Sequence, residues 1–210
     1  MVRKMQTNWL VGIDEVGRGP LAGPVAVGVV LVKNDFDWNT LVGVTDSKTL
    51  LESKRDAIYH LAWELRQDKK LDFAVSQVKA SVIDKQGIAI AIRQALTNGL
   101  SRLMARNPNL GREAILIKLD GGLYAPKKYP KQETIIKGDS KEKVIGLASV
   151  VAKVTRDRYM RRRAKLATYA PYDFATHKGY GTKQHRASIA QSGLSPEHRK
   201  TYCRNIKVRV

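Results

Sequence analysis

The stretch VGIDEVGRGPLAGPVAVGVV, residues 11–30, decides how the chain begins to fold. The apolar pattern of Leu10–Asp14 predicts a short buried strand. The Val-rich run Val25–Val32 predicts a second strand, which returns after a glycine-rich turn. Two adjacent acids, Asp14 and Glu15, stand where the first strand meets this turn. Because an unpaired buried charge is costly, a strand interior has little use for two carboxylates. The pair therefore indicates a site at the end of the strand.

Composition limits the class of protein. The chain has 210 residues, 43% of them hydrophobic, which suits one domain with a sizeable core. Its 38 Lys and Arg outnumber 19 Asp and Glu, and the net charge of +19 favours nucleic acid or an anionic surface as partner. The longest apolar run, Val25–Val32, is too short to span a membrane, and the N-terminus lacks an apolar signal core, so we expect no membrane association. A single cysteine, Cys203, cannot form an internal disulfide and favours the cytoplasm.

The remaining hydrophobic patterns alternate between strand and helix periods, which predicts an α/β fold. Further strands are expected at Leu71–Val78, Ala114–Leu119 and Glu133–Lys137. Capping patterns at Thr49–Glu52 and Ser81–Asp84 predict the starts of two helices, the first running to about Lys69. A third helix carries Val144 to Val154 on one face and ends in the basic run RDRYMRRRAK, residues 156–165. From about Tyr169 the chain predicts two short helical pieces.

Two of these later strands also end in an acid. AILIKLD ends at Asp120 and ETIIKGD at Asp139, so that four carboxylates, with Asp14 and Glu15, are expected at or near strand ends. Ligand sites in α/β proteins gather at such edges. Four like charges would repel and raise one another's pKa values unless cations lay among them, and Mg²⁺ and Mn²⁺ prefer carboxylate oxygen. The pattern indicates two divalent ions about 3.5–4 Å apart that support in-line attack on a phosphodiester.

A simpler interpretation stays open for each acid. An acid after a strand is commonly a turn residue or a helix cap, and Asp139 would then cap the third helix. Since neighbouring strand residues point to opposite faces, Asp14 and Glu15 share a site only if the strand bends there. Asp157 is an alternative fourth acid, but we expect it to pair with basic residues one helical turn away.

The glycine turn GRGPLA, residues 17–22, matches the loose dinucleotide-binding pattern, yet a strand follows where that site needs a helix. The glycines instead favour a close approach of bare backbone to a ligand. In a basic protein with a metal site, exposed amides and carbonyls there would recognise a sugar hydroxyl, and the 2′-hydroxyl belongs to RNA alone.

The motifs DEVGRGPLAGPV, DSK (residues 46–48), the D-G at Asp120, KGDS, ASVVAKVTRD and HKGYGT strongly resemble the ribonuclease HII family, the bacterial type 2 ribonucleases H. The resemblance implies a ribonuclease H-like fold, with a mixed five-stranded sheet flanked by helices. Residues 1–168 would form the catalytic core, and the helical part at 169–210 would pack on it within one domain. It also implies hydrolysis of RNA in RNA–DNA hybrids and incision 5′ to single ribonucleotides in duplex DNA, as in ribonucleotide excision repair. The cut would leave 3′-hydroxyl and 5′-phosphate ends.

The same resemblance implies roles for individual residues. The catalytic ligands of Mg²⁺ or Mn²⁺ would be Asp14, Glu15, Asp120 and Asp139. The turn residues Gly17, Arg18 and Gly19 would contact the ribonucleotide 2′-hydroxyl, and Tyr180 would pack on the neighbouring deoxyribose. Lys48, just before a helix, is placed to hold a DNA phosphate or to lie in solvent. The family's substrates would be RNA–DNA hybrid and ribonucleotide-containing duplex DNA, bound by a monomer.

Other residues are assigned from their surroundings. The basic run is expected to track the nucleic-acid backbone, and His177 and His185 to make loop or phosphate contacts. The C-terminal NIKVRV is short and apolar and leaves a sliding-clamp contact open.

Two other classes of protein compete with this interpretation. A non-catalytic basic RNA-binding protein would account for the charge but not for acids at three strand ends, since carboxylates repel phosphate unless a metal intervenes. Another metal-dependent nuclease of the same fold is not excluded by the acids alone. A strict need for a 2′-hydroxyl would distinguish the two nucleases.

Overall fold

The computed structural model describes residues 8–44 and 50–208. Its centre is a five-stranded mixed sheet in the order β3-β2-β1-β4-β5. The strands are β1 (Trp9–Val16), β2 (Val25–Lys33), β3 (Leu71–Val78), β4 (Ile115–Asp120) and β5 (Gln132–Ile135). The central strand β1 runs antiparallel to β2 and parallel to β4. The mixed five-stranded sheet that the resemblance implies is confirmed.

Helices cover both faces of this sheet. They are α1 (Glu52–Gln67), α2 (Ala80–Gln86), α3 (Ile88–Arg106), α4 (Gly138–Lys141), α5 (Lys143–Ala164), α6 (Phe174–His177) and α7 (Lys183–Ser192). Short 3-10 segments lie at Trp38–Leu41, Arg112–Ala114, Ala167–Tyr172 and Lys200–Tyr202. Within the described ranges, no helix has the length and apolar character needed to cross a bilayer.

The strand β2 is buried on both faces, which explains its unbroken apolar sequence. Val27, Val29 and Leu31 join the core cluster under α3, whereas Val30 and Val32 join the cluster under α1 and α5. Alternate residues of a strand point to opposite faces, so a strand between two helical layers needs apolar residues at every position. This places β1 and β2 at the centre of the molecule.

The helix α5 lies unusually close to the sheet. A Cβ at Gly28 would collide with the carbonyl oxygen of Ala148, and one at Gly12 with that of Val144. The two glycines let the helix backbone approach the strands directly. Residues 144–152 of α5 are therefore buried on all sides, where the sequence predicted a one-sided apolar stripe.

Some predicted boundaries are wrong. β1 continues through Val16, past both acids, while β5 stops at Ile135. Lys137 adopts a left-handed conformation (φ 56°) that ends the extended chain, so Asp139 lies in α4 rather than at a strand end.

The second predicted helix is two helices, divided at Gly87 (φ 83°). Its start at Ala80 has no side-chain cap, and Asp84 instead accepts hydrogen bonds from the backbone N–H groups of Lys200 and Thr201. The helix α1 begins at Glu52, and Thr49 of its predicted capping box lies outside the described residues.

Candidate active site

A cavity of about 470 Å³ gathers most of the residues singled out in the sequence. It is lined by Asp14, Glu15, Val16, Gly17, Arg18, Gly19, Arg55, Asp120, Ser149, Lys153 and Tyr180. Three of the four predicted acids, the whole Gly-Arg-Gly turn and Tyr180 thus meet at one place. Asp139 is not part of this lining, and Lys48 lies outside the described residues.

The strand register brings Asp14 and Asp120 together. β1 and β4 run parallel, with Ile13 opposite Leu119, so the next residue of each strand is an aspartate at the same edge. Pairing with β4 ends at Ile13, and the last part of β1 projects beyond its neighbour. Glu15 also reaches the cavity there, although β1 does not end between the two acids.

Burial, together with nearby carboxylates, favours the protonated forms of Asp14 and Glu15. Asp14 is 2% exposed, and it accepts hydrogen bonds from the Glu15 N–H (2.7 Å) and from the Ser149 hydroxyl. Burial, together with the charges of Glu15 and Asp120, raises the pKa of Asp14 to about 8. Burial also raises the pKa of Glu15, although its ion pair with Arg18 (2.9 Å) opposes that shift. Burial therefore favours the protonated forms of Asp14 and Glu15, although Arg18, Arg55 and Lys153 also line the cavity.

The fourth predicted acid, Asp139, is connected to the other carboxylates through its neighbour Gly138. The Gly138 N–H donates to Asp120 Oδ1 over 2.6 Å, and Asp139 follows directly in α4 with 5% exposure. The loop after β5 is thus tied to the end of β4. Asp139 lies one residue from a group that touches Asp120.

The residues suit divalent cations by their chemistry, but not by their present rotamers. In residues 8–44 and 50–208 there is no group of three or more His, Cys, Asp or Glu side chains arranged to hold a metal. Each carboxylate is turned toward another partner: Asp14 toward Ser149, Glu15 toward Arg18, Asp120 toward Gly138. Crowded carboxylate oxygens are nevertheless the donors that hard divalent ions prefer. The site fits such ions once these side chains rotate inward.

Two fully buried arginines hold the backbone around the glycine turn, and the sequence did not reveal either. Arg156 donates from Nε to the Pro24 carbonyl (2.9 Å), from Nη2 to Ala22 (3.1 Å) and from Nη1 to Lys178 (3.0 Å). A Cβ at residue 17 would collide with the Arg156 guanidinium, and Gly17 has φ +93°, so glycine is required there. Arg199 holds the other side of the turn, at Gly17, Arg18 and Gly23.

The prediction that the basic run tracks nucleic acid is wrong for Arg156 and stays a prediction for the other basic residues of the run. Arg156 is fully buried, and three other arginines pair with acids of the same chain. These pairs are Arg158–Asp56 (3.1 Å), Arg161–Glu52 and Arg163–Glu197 (2.9 Å). Arg162 and Lys165 of the run are exposed.

The loop that carries Tyr180 is fixed by buried histidines. Tyr180 is 42% exposed on the cavity side, and the Arg156 guanidinium lies 5.6 Å from its ring centre. His177 Nδ1 accepts the Gly179 N–H (3.1 Å), and His185 Nδ1 lies 2.9 Å from the Tyr180 carbonyl. Of the predicted loop or phosphate contacts of these two buried histidines, the loop contacts are confirmed.

A chain of hydrogen bonds assigns the histidine tautomers. The Ser195 N–H donates to His198 Nδ1 (2.9 Å), so His198 carries its proton on Nε2. That proton is donated to His185 Nε2 (3.0 Å), and His185 then donates from Nδ1 to the Tyr180 carbonyl. Burial lowers the pKa values of His185 and His198 to about 4, which keeps both neutral. The neutral chain fixes the backbone at Tyr180.

Four further cavity residues were not predicted as site residues: Val16, Arg55, Ser149 and Lys153. Ser149 and Lys153 stand one helical turn apart on α5, within the motif ASVVAKVTRD, and that spacing was the available signal. Lys153 also makes the predicted pair with Asp157 across one turn (2.7 Å). Nothing in the sequence around Arg55 distinguishes it from other basic residues.

Comparisons with known proteins identify the family of the chain. The family model of Ribonuclease HII matches residues 11–205. The ribonuclease HII of Bacillus cytotoxicus is 40% identical over 201 residues, which cover 96% of this chain and 71% of that protein. The ribonuclease H2 of Pyrococcus horikoshii OT3 has a similar fold (TM-score 0.65, 23% identity, 95% of this chain and 97% of that one). The Bst ribonuclease HIII in complex with Mn²⁺ also has a similar fold (TM-score 0.65, 16% identity, covering 89% of this chain and 70% of that one). The chain therefore belongs to the ribonuclease HII family.

Proposed function

We propose that this protein incises duplex DNA on the 5′ side of single embedded ribonucleotides, leaving 3′-hydroxyl and 5′-phosphate ends. Family membership gives the coarser activity, that of a metal-dependent endoribonuclease of the ribonuclease H type. The observation that carries the finer proposal is the shared cavity, in which three carboxylates, the Gly-Arg-Gly turn and Tyr180 all meet. An acidic site for chemistry and a backbone turn for recognition lie within reach of one nucleotide.

The acids are proposed to hold two divalent ions, Mg²⁺ or Mn²⁺, and so to place the scissile phosphate. Bound ions would supply activation of water and stabilisation of the leaving 3′ oxygen. Asp14, Glu15 and Asp120 would turn from their present partners toward the cavity. We include Asp139 as the fourth ligand because Gly138, its neighbour, already contacts Asp120. Mn²⁺ in the Bst ribonuclease HIII, which shares the fold, supports this choice of metal.

Recognition of the sugar is proposed for the turn and for the loop opposite it. Gly17, Arg18 and Gly19 would bind the 2′-hydroxyl, which donates and accepts hydrogen bonds and is absent from DNA. Tyr180 would pack its exposed ring on the next deoxyribose and so favour an RNA–DNA junction.

The rest of the surface is proposed to bind the duplex without sequence preference. The net charge of +19 would give an affinity that falls steeply with salt. Lys48, outside the described residues, is proposed to hold a DNA phosphate. The protein would act as a monomer, because one chain supplies every residue of the cavity. Its single cysteine suits the cytoplasm.

The test uses an end-labelled DNA duplex with one ribonucleotide, beside an all-DNA duplex of the same sequence and a long RNA–DNA hybrid. Each is incubated with Mg²⁺, with Mn²⁺ and with chelator. We expect one metal-dependent cut 5′ to the ribonucleotide, cutting of the hybrid and no cut in the all-DNA duplex. Tight binding to every duplex with no cut in either metal would refute the proposal.

A further inference from the structure

Arg199 is a fully buried cation whose guanidinium binds backbone carbonyls of the glycine turn. Its Nη2 donates to the carbonyl of Gly17 (2.7 Å), its Nη1 to that of Arg18 (2.8 Å), and its Nε and Nη2 to that of Gly23 (3.1 and 2.9 Å). A planar guanidinium offers donors in a fixed fork, so it can hold several carbonyls in one orientation. Three separate carbonyls of one turn are thereby fixed by a single side chain.

The direction of these carbonyls determines the direction of the next amides. The described residues contain no cis peptide bond, and in a planar trans peptide the N–H points away from the C=O. Since the carbonyls of Gly17 and Arg18 point toward Arg199, the N–H groups of Arg18 and Gly19 point the opposite way. Arg18 and Gly19 line the active-site cavity, so donors directed away from Arg199 are available to a nucleotide bound there.

The segment that carries Arg199 is itself anchored on both sides. The Arg199 N–H donates to the Leu21 carbonyl (2.8 Å), and the Gly23 N–H donates to the Glu197 carbonyl (2.8 Å). On the other side, the Asp84 carboxylate accepts the N–H groups of Lys200 (2.8 Å) and Thr201 (3.0 Å). The position of the guanidinium is therefore set by the glycine turn on one side and by α2 on the other.

We propose that Arg199 is a positioning residue for ribonucleotide recognition. By holding the carbonyls of Gly17 and Arg18, it directs the N–H groups of Arg18 and Gly19 into the cavity, where they donate to the ribose 2′ oxygen. This rests on the proposed function of the turn. The segment around Glu197–Arg199 thus belongs to the recognition site, although it lies near the end of the chain. Without Arg199, the two peptide planes lose the contact that fixes their direction.

The experiment measures the ratio of dissociation constants for the all-DNA duplex and the same duplex with one ribonucleotide, in chelator so that no strand is cut. The variants are Arg199→Met and Arg199→Lys. The lysine variant keeps the positive charge but lacks the planar, forked set of guanidinium donors. Tyr159→Phe is the matched control, because it removes the hydrogen bond to Glu197 (2.6 Å) in the same segment without touching the turn. Thermal unfolding of each variant reports stability separately.

We expect the unmodified protein and Tyr159→Phe to prefer the ribonucleotide duplex by about tenfold, the value of one or two hydrogen bonds. Both Arg199 variants should prefer it less than about threefold and bind all-DNA duplex normally. Unchanged preference in folded Arg199 variants would overturn the positioning role. No preference in the unmodified protein would instead overturn the proposed function of the turn, and this role with it.

A second measurement needs no variant. In the unmodified protein, the backbone N–H resonances of Arg18 and Gly19 should shift on binding the ribonucleotide duplex well beyond their shift with all-DNA duplex. Equal shifts with both duplexes would overturn the proposal even if both Arg199 variants failed to fold.

Discussion

Replacing Asp14 by Asn should stabilise the metal-free protein. The folded state holds the pKa of Asp14 at about 8, against an ordinary value of 3.8 in the unfolded chain. At pH 8 this difference costs up to about 5 kcal/mol of folding free energy, at about 1.4 kcal/mol for each pKa unit. The Asn amide brings a buried N–H donor that offsets about 1–3 kcal/mol of the gain. We expect a net stabilisation of about 2–4 kcal/mol, or roughly 4–16 °C in melting temperature for a chain of this size.

The pH dependence gives the sign of the effect. Between pH 4 and pH 8 the unfolded chain has released the Asp14 proton and the folded chain retains it. Stability of the unmodified protein is therefore lost as pH rises through this window. Because the cost of the Asn amide does not depend on pH, Asp14→Asn should be less stable than the unmodified protein by about 0.5–2 kcal/mol at pH 4, and its advantage should be complete at pH 8.

The assay is thermal and urea unfolding in chelator at pH 4, 6 and 8. Asp68→Asn is the matched control, because that carboxylate is exposed and pairs only with nearby Lys70 (3.3 Å) among the described contacts. Added Mg²⁺ should raise the melting temperature of the unmodified protein more than that of Asp14→Asn. A variant that is less stable than the unmodified protein at pH 8, or an advantage independent of pH, would refute the reasoning.

Three further predictions concern the scaffold and the recognition loop. Gly28→Ala should lower the free energy of unfolding by about 2–3 kcal/mol, because its Cβ meets the α5 backbone, whereas Gly111→Ala, with open space around it, should change urea unfolding little. Tyr180→Ala should reduce incision at single ribonucleotides more than cutting of long hybrids, and equal losses would remove its junction role. Stability should fall by about 1–3 kcal/mol for each of His185 and His198 as pH falls from 6.5 toward 4, because the unfolded histidines bind protons first. Unfolding of the double variant His185→Gln/His198→Gln should show a shallower pH slope, and an unchanged slope would contradict the neutral histidine chain.

The sequence predicted the hairpin of β1 and β2 and the meeting of Asp14 with Asp120. Local patterns are sufficient there, because a valine run between turns forms a strand and parallel strands end at one edge. Asp139 was misplaced, since the apolar pattern of ETIIKGD continues beyond the point where the backbone leaves the strand. The left-handed conformation of Lys137, which ends that strand, has no signature in the residue itself.

The buried arginines could not be predicted from the sequence. Arg199 is 182 residues from Gly17, and Arg156 is 132 residues from Pro24. An arginine within a basic run has the same sequence pattern whether it lies in solvent or binds carbonyls inside the protein. Only the tertiary fold distinguishes the two. The burial of the histidines could not be predicted for the same reason, because their partners come from separate segments of the C-terminal part.

The most direct test of the central claim is cleavage of the single-ribonucleotide duplex by Asp120→Asn, with Asp68→Asn as control. The account predicts that Asp120→Asn abolishes the metal-dependent cut and binds the duplex about as tightly as the unmodified protein, while Asp68→Asn cuts normally. Near-normal turnover by Asp120→Asn would contradict the assignment of this cavity as the active site.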